Sequence, residues 1–207
     1  MTAVANRTEA SSRRPSRRAP EGPVGRTTGW WGMVLFICTE SATFAAILAS
    51  YFYLRFIHDT SWPPPGDSRP SLLVPTVGTA VLLLSCAPML LAGRTVHRRA
   101  THVLMLLLAL LGGVVFVVLQ GVDYAGEWPD STLQKDAYGS LFYTITGLHT
   151  LHVVVGLFMV LLVLAGAVVR GVGRGHPGSV RVVALYWYFL SVLAVAVYVT
   201  VYISPYL

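Results

Sequence analysis

The chain has 207 residues, of which 55% are hydrophobic and 12% charged, with a formal net charge of +6. Soluble domains carry charge on about one residue in four, so this composition excludes an ordinary water-soluble domain. The positive balance follows from arginines clustered on alternate loops, a membrane-topology signal, and nothing in it points to nucleic-acid binding.

The leading segment, residues 1–28, is rich in Arg, Ser, Pro and Ala and has no apolar periodicity. It is expected to be a disordered basic tail that touches anionic lipid heads, ahead of a transmembrane domain over residues 29–207. Its Arg-Arg pairs invite a twin-arginine or signal-peptide reading. The apolar run that follows is much longer than a signal core and contains Glu40, which favours ordinary topology.

Five apolar runs follow in chain order, at about 30–57, 72–92, 103–124, 138–169 and 182–204. Each is long enough to cross a hydrocarbon core of about 30 Å as a helix. The fold class is therefore all-α, an integral membrane bundle of five transmembrane helices. The first and fourth runs exceed the roughly 20 residues a perpendicular helix requires and should tilt or project into the interfaces. Pro88 lies inside the second run and should kink it. Ala42 with Ala46, Ala45 with Ala49, and Gly112 with Gly113 are the expected close contacts between helices.

Arginine placement gives the orientation. The tail holds Arg7, Arg13, Arg14, Arg17, Arg18 and Arg26, the second loop Arg94, Arg98 and Arg99, and the fourth loop Arg170, Arg174 and Arg181. The opposite side carries only Arg55, Arg69 and Lys135 beside Asp59, Asp67, Asp123, Glu127, Asp130 and Asp136. The positive-inside rule then puts the N-terminus in the cytoplasm and the C-terminus outside.

Polar groups at membrane depth are the functional candidates, because imidazoles and carboxylates are costly in hydrocarbon. His149 and His152 are three residues apart in the fourth run, one helical turn from each other. Glu40 lies about ten residues, roughly 15 Å, from the cytoplasmic end of its helix. His149 lies at a similar depth from the other side, so all three groups could meet near the midplane. Glu40, Phe44, Ile47, Tyr51 and Arg55 share one stripe at helical spacing. Thr146 and Thr150 can add hydroxyls beside the histidines. His58, His97, His102 and His176 fall in loops or at helix ends and are expected to be solvated. Cys38 and Cys86 lie within spans without zinc spacing and are expected to act as small hydrophobes.

Three readings of the intramembrane groups stay open on residues alone. They could form a structural network that locks the first and fourth helices. Glu40 could handle protons. The two histidines could ligate a metal or haem, although other helix interiors offer no further axial histidines.

Four blocks resemble subunit III of the haem–copper terminal oxidases, in its five-helix bacterial form. Residues 32–55, GMVLFICTESATFAAILASYFYLR, resemble that family's first block, with Glu40 at its Ser/Thr-Glu position. Trp62-Pro63-Pro64 resembles the outer loop after it. Gln120-Gly-Val-Asp-Tyr124 is similar to the family's Gln-Gly-x-Glu-Tyr, with Asp123 for Glu. Residues 138–156, YGSLFYTITGLHTLHVVVG, resemble Y-G-S-x-F-Y-x-x-T-G-F-H-G-L-H-V-x-x-G almost throughout. The fifth helix departs from the pattern: the family usually reads Tyr-Trp-His-Phe-x-Asp where this chain has Tyr188 and Ser191 for the His and Asp.

The resemblance implies a subunit without redox centres of its own, packed on catalytic subunit I beside subunit II, with haem and copper held by those partners. It implies phospholipid bound in a cleft, support of proton uptake, and protection of the catalytic subunit during turnover, in a bacterial plasma membrane. It also implies that Glu40 faces the lipid cleft as an unpaired, protonated carboxylate, with His149, His152, Gln120 and Asp123 as further functional candidates. The alternatives are an accessory protein of a nitric oxide reductase and a small proton-coupled transporter. Five spans do not divide into the inverted halves such transporters often show.

Overall fold

The computed structural model describes residues 28–57, 71–127, 137–170 and 177–206. The basic tail, the Trp62-Pro63-Pro64 loop, His58 and His176 lie outside the described residues. Five spans run as α1 (Thr28–Ile57), α2 (Leu73–Leu84) continued by α3 (Cys86–Arg94), α4 (Arg99–Glu127), α5 (Ala137–Arg170) and α6 (Pro177–Tyr198). All five are long and apolar enough to cross a membrane. No strand occurs among the described residues.

The second span is broken at Ser85, three residues before Pro88. Proline has no N–H to offer the Leu84 carbonyl and its ring crowds that carbonyl, so the helix restarts rather than runs through. Ser85 holds the joint: its N–H donates to Val81 O at 3.0 Å and its hydroxyl to Leu82 O at 2.6 Å. The last span also changes winding. Val199–Ile203 forms a π turn in which Ser204 N–H reaches back to Val199 O. Pro205 follows, and with no N–H it ends the ladder.

α4 packs on α2, α3 and α5, while α6 lies against α1, α2, α3 and α5. α1 leans on α6 and α5, and only Phe44 and Tyr51 along it are buried. Those two residues belong to the Glu40–Arg55 stripe read from sequence, so that stripe is the helix's seam. Ala42, Ala45, Ala46 and Ala49 are exposed, against expectation. The seam selects large side chains, and the small ones turn outward.

Gly112 and Gly113 do mark close helix approach. A Cβ on Gly112 would sit 2.6 Å from Ser85 Cβ, and one on Gly113 2.5 Å from the Trp187 ring. Gly156 is a third such point, where a Cβ would meet Leu190 at 2.8 Å. In lipid, where burial of apolar surface drives little, such backbone-close packing and hydrogen bonds hold helices together. Trp187 is fully buried in this wedge, and its indole N–H donates to Ser85 Oγ at 2.9 Å.

The core divides by depth. Toward the arginine-rich ends it is mainly aliphatic, with Leu82, Met89, Leu106, Val160 and Leu190 around Trp187. Toward the opposite ends it is aromatic, with Phe44, Tyr51, Tyr138, Phe142 and Tyr202. The intramembrane polar groups fall at and beyond the junction of the two.

Candidate functional site: a Glu–His pair and a buried polar cluster

His152 on α5 faces α1, and its Nε2 lies 2.9 Å from Glu40 Oε2. The other ring nitrogen, Nδ1, is 2.7 Å from Leu148 O, one turn back. A carbonyl only accepts, so Nδ1 carries the hydrogen and Nε2 is the end that shares a proton with Glu40. The Phe44 ring stands edge-on to the imidazole at 5.3 Å and fixes its plane. The pair is not sealed: the His152 and Glu40 side chains are 12% and 20% exposed. Glu40, expected to be unpaired, thus has a partner. The depth argument that brought it to the α5 histidines is what finds that partner.

His149 does not join this pair. Three residues along α5 turn the helix by less than a full circle, so its ring points to α4 and packs edge-on to Phe116 at 5.5 Å. It is 2% exposed, and neither of its ring nitrogens has a hydrogen-bond partner among the described residues.

Gln120 and Asp123 come together with Tyr202 of the π turn. Tyr202 OH donates to Asp123 Oδ2 at 2.6 Å, and Gln120 Nε2 donates to the same oxygen at 3.3 Å and to Tyr202 OH at 3.2 Å. All three are buried. The donors make the carboxylate tolerable away from water. Beside them Tyr124 OH donates to Thr146 Oγ1 at 2.9 Å, while Thr146 and Thr150 donate back to carbonyls four residues earlier on α5. Tyr51 OH is 3.2 Å from Ser204 Oγ and so fastens α1 to the end of the last span. Arg55 sits in the last turn of α1, fifteen residues or about 22 Å beyond Glu40, outside the pair.

Tyr202 is the site residue that sequence reading missed. A phenol in an apolar run needs a polar partner, and that requirement was the available signal. His102 corrects another expectation. It is 3% exposed rather than solvated, with Nδ1 2.8 Å from Ala92 O, where it caps the end of α3. His97 is exposed as expected. Cys86 is half-buried, and its thiol donates to Ser191 Oγ at 3.0 Å, while Ser191 donates to Trp187 O. Ser191 therefore satisfies its environment without charge.

The fold and these groups define a multi-pass α-helical membrane protein that carries a carboxylate–imidazole pair and a buried carboxylate cluster inside its bundle. Residues 24–206 match the family model described as cytochrome c oxidase subunit III. The chain is 31% identical over 181 residues to cytochrome c oxidase subunit 3 of Drosophila yakuba, covering 83% of this chain and 68% of that one. It is 31% identical over 188 residues to the subunit of Lumbricus terrestris, covering 85% and 70%. Identity to the subunit of the cyanobacterium Synechocystis is 29% over 174 residues, covering 84% and 74%. The chain belongs to the cytochrome c oxidase subunit III family, and as such is a component of an oxidase complex with other subunits.

Proposed function

We propose that the chain is the redox-centre-free subunit III of a haem–copper respiratory oxidase in a bacterial plasma membrane. It packs on catalytic subunit I, beside subunit II, and those partners hold the haem and copper. It binds phospholipid along the Glu40 face and supports proton uptake and durable turnover in subunit I. The N-terminus is cytoplasmic, in keeping with the arginine clusters.

The observation that carries this reading is the Glu40–His152 pair. It sits near the middle of α1 and of α5, joined at 2.9 Å and partly open at the helix surface. With Nδ1–H held by Leu148 O, one proton can rest on Glu40 or on Nε2 without movement of either helix. A proton can thus be held or passed there, while the open edge admits a lipid acyl chain alongside. The Asp123–Gln120–Tyr202 cluster is buried and internally bonded, which suits an anchor between α4 and the final turn.

The test is mild-detergent purification of the tagged chain from its native membrane, with an optical spectrum and gas-reduction assays on the eluate. Co-purification of a haem protein that reduces oxygen is the expected result. Recovery with a partner that reduces nitric oxide and not oxygen would replace it with the accessory reading. A colourless chain that behaves as a lone protein in several detergents would return the transporter to consideration.

A further inference from the structure

Between α2, α4, α5 and α6 lies a cavity of about 10 Å³, lined among others by Thr79, Phe116, Gln120, Thr146, His149 and Tyr202. That is room for about one water molecule. His149 lines it with both ring nitrogens lacking a protein partner among the described residues, at 2% exposure. A neutral imidazole needs one acceptor and one donor, and burying both nitrogens unmet is costly. The Phe116 ring beside it offers only a weak π contact.

The polar groups on the other walls are arranged to complement that need. Gln120 directs its Nε2 donors to Asp123 and Tyr202, so its carboxamide oxygen is left to accept. That amide orientation is fixed by chemistry, because the Asp123 carboxylate can only accept. Thr146 donates to Phe142 O and accepts from Tyr124, which leaves a second lone pair. Around the cavity stand acceptors and an imidazole, and a molecule with two donors and two lone pairs satisfies such a set.

We propose that the cavity is a built water site: one water joins a ring nitrogen of His149 to Gln120 or Thr146, and where it bonds Gln120 it links His149 to the Asp123–Tyr202 cluster. The site is too small for an acyl chain. Asp123 is not among its lining residues, so no carboxylate faces it as a calcium or magnesium ion would want. The inference rests on this chain's own side chains and not on its role in the oxidase.

The experiment is a cryo-EM map of the intact purified complex at a resolution that shows ordered water, for the wild type and for His149→Phe. In the wild type a peak is expected within hydrogen-bond distance of a His149 nitrogen and of Gln120 or Thr146. In His149→Phe that peak should disappear while the Asp123–Tyr202 contact remains. A dry cavity, a lipid chain within it, or an imidazole turned onto a protein partner in the wild type would overturn the proposal. So would a peak unchanged in the variant.

Discussion

His149 and His152 stand one turn apart on α5, yet His152 holds Glu40 at 2.9 Å whereas His149 holds no atom of the described residues through either nitrogen. The two imidazoles therefore do different work. One joins α5 to α1 across an edge of the bundle that remains partly open. The other is sealed behind Phe116, on the side of α4 and the cavity. The H-x-x-H turn is thus the meeting point of a pair and a separate interior site.

Glu40→Gln tests the proton-bearing reading. Glutamine keeps the length and can still hydrogen-bond His152 Nε2, but it cannot release a proton. The complex is expected to assemble with unchanged haem content and to lose activity faster, or turn over more slowly, in repeated oxygen-consumption traces. Loss of haem in the variant would assign Glu40 to assembly instead.

The same pair should also fasten helices. Intramembrane hydrogen bonds average about 0.6 kcal/mol by double-mutant cycles, with a maximum near 1.7. A cycle of Glu40→Leu and His152→Phe, in which neither replacement can make the bond, read from the thermal melting of the purified complex, should give a coupling within that range. Zero coupling would remove the pair from the forces that hold α1 to α5. His149→Ala, by contrast, breaks no direct hydrogen bond among the described residues. Its destabilisation, on the order of 1 kcal/mol, comes from lost packing and from the hydrated link. An unchanged melting profile for that variant would make His149 dispensable to the bundle.

Most of the fold is legible in the residues because hydropathy alone marks five spans, and the lipid-crossing requirement turns each into a helix. The break in the second span was legible from Pro88, whose effect is local. Depth counting found the Glu40–His152 pair, since two costly groups at similar depth have few other partners. It could not separate His149 from His152. Which neighbour each faces depends on how α5 is rotated against α4, and large side chains such as Phe116 and Trp187 set that rotation. The outward alanines of α1 fail for a related reason: small residues permit close approach, but a neighbour must be there to make it. Tyr202 stayed hidden because the π turn shifts the register of the last residues, which helical spacing does not foresee.

The Asp123 cluster should be sensitive to one oxygen atom. Tyr202→Phe removes the 2.6 Å hydrogen bond to the Asp123 carboxylate and keeps the ring. The loss is expected to cost about 1–3 kcal/mol, as for a buried polar group deprived of a partner. Asp123→Asn in the Tyr202→Phe background should recover part of the loss, because a neutral amide is less costly to bury. Melting of the four complexes reads this directly, and equal stability of Tyr202→Phe and wild type would show that the phenol is not needed to hold the carboxylate.

The glycine wedge around Trp187 gives the sharpest steric case. A methyl on Gly113 would come within 2.5 Å of Trp187 and 2.8 Å of Leu157, closer than side chains pack. Both neighbours are held: the indole by Ser85 and by α5, and Leu157 by the core. Gly113→Ala should therefore force α4 away from α5 and α6, with an overpacking cost of about 1–3 kcal/mol. The atoms in the way belong to the outer edge of the indole's six-membered ring, which phenylalanine lacks. Trp187→Phe should thus partly suppress Gly113→Ala, although alone it destabilises by losing the Ser85 bond. If the double variant loses as much stability as the two singles added together, or more, the two residues do not share the space that the structure gives them. In that case α4 and α6 are held by other contacts.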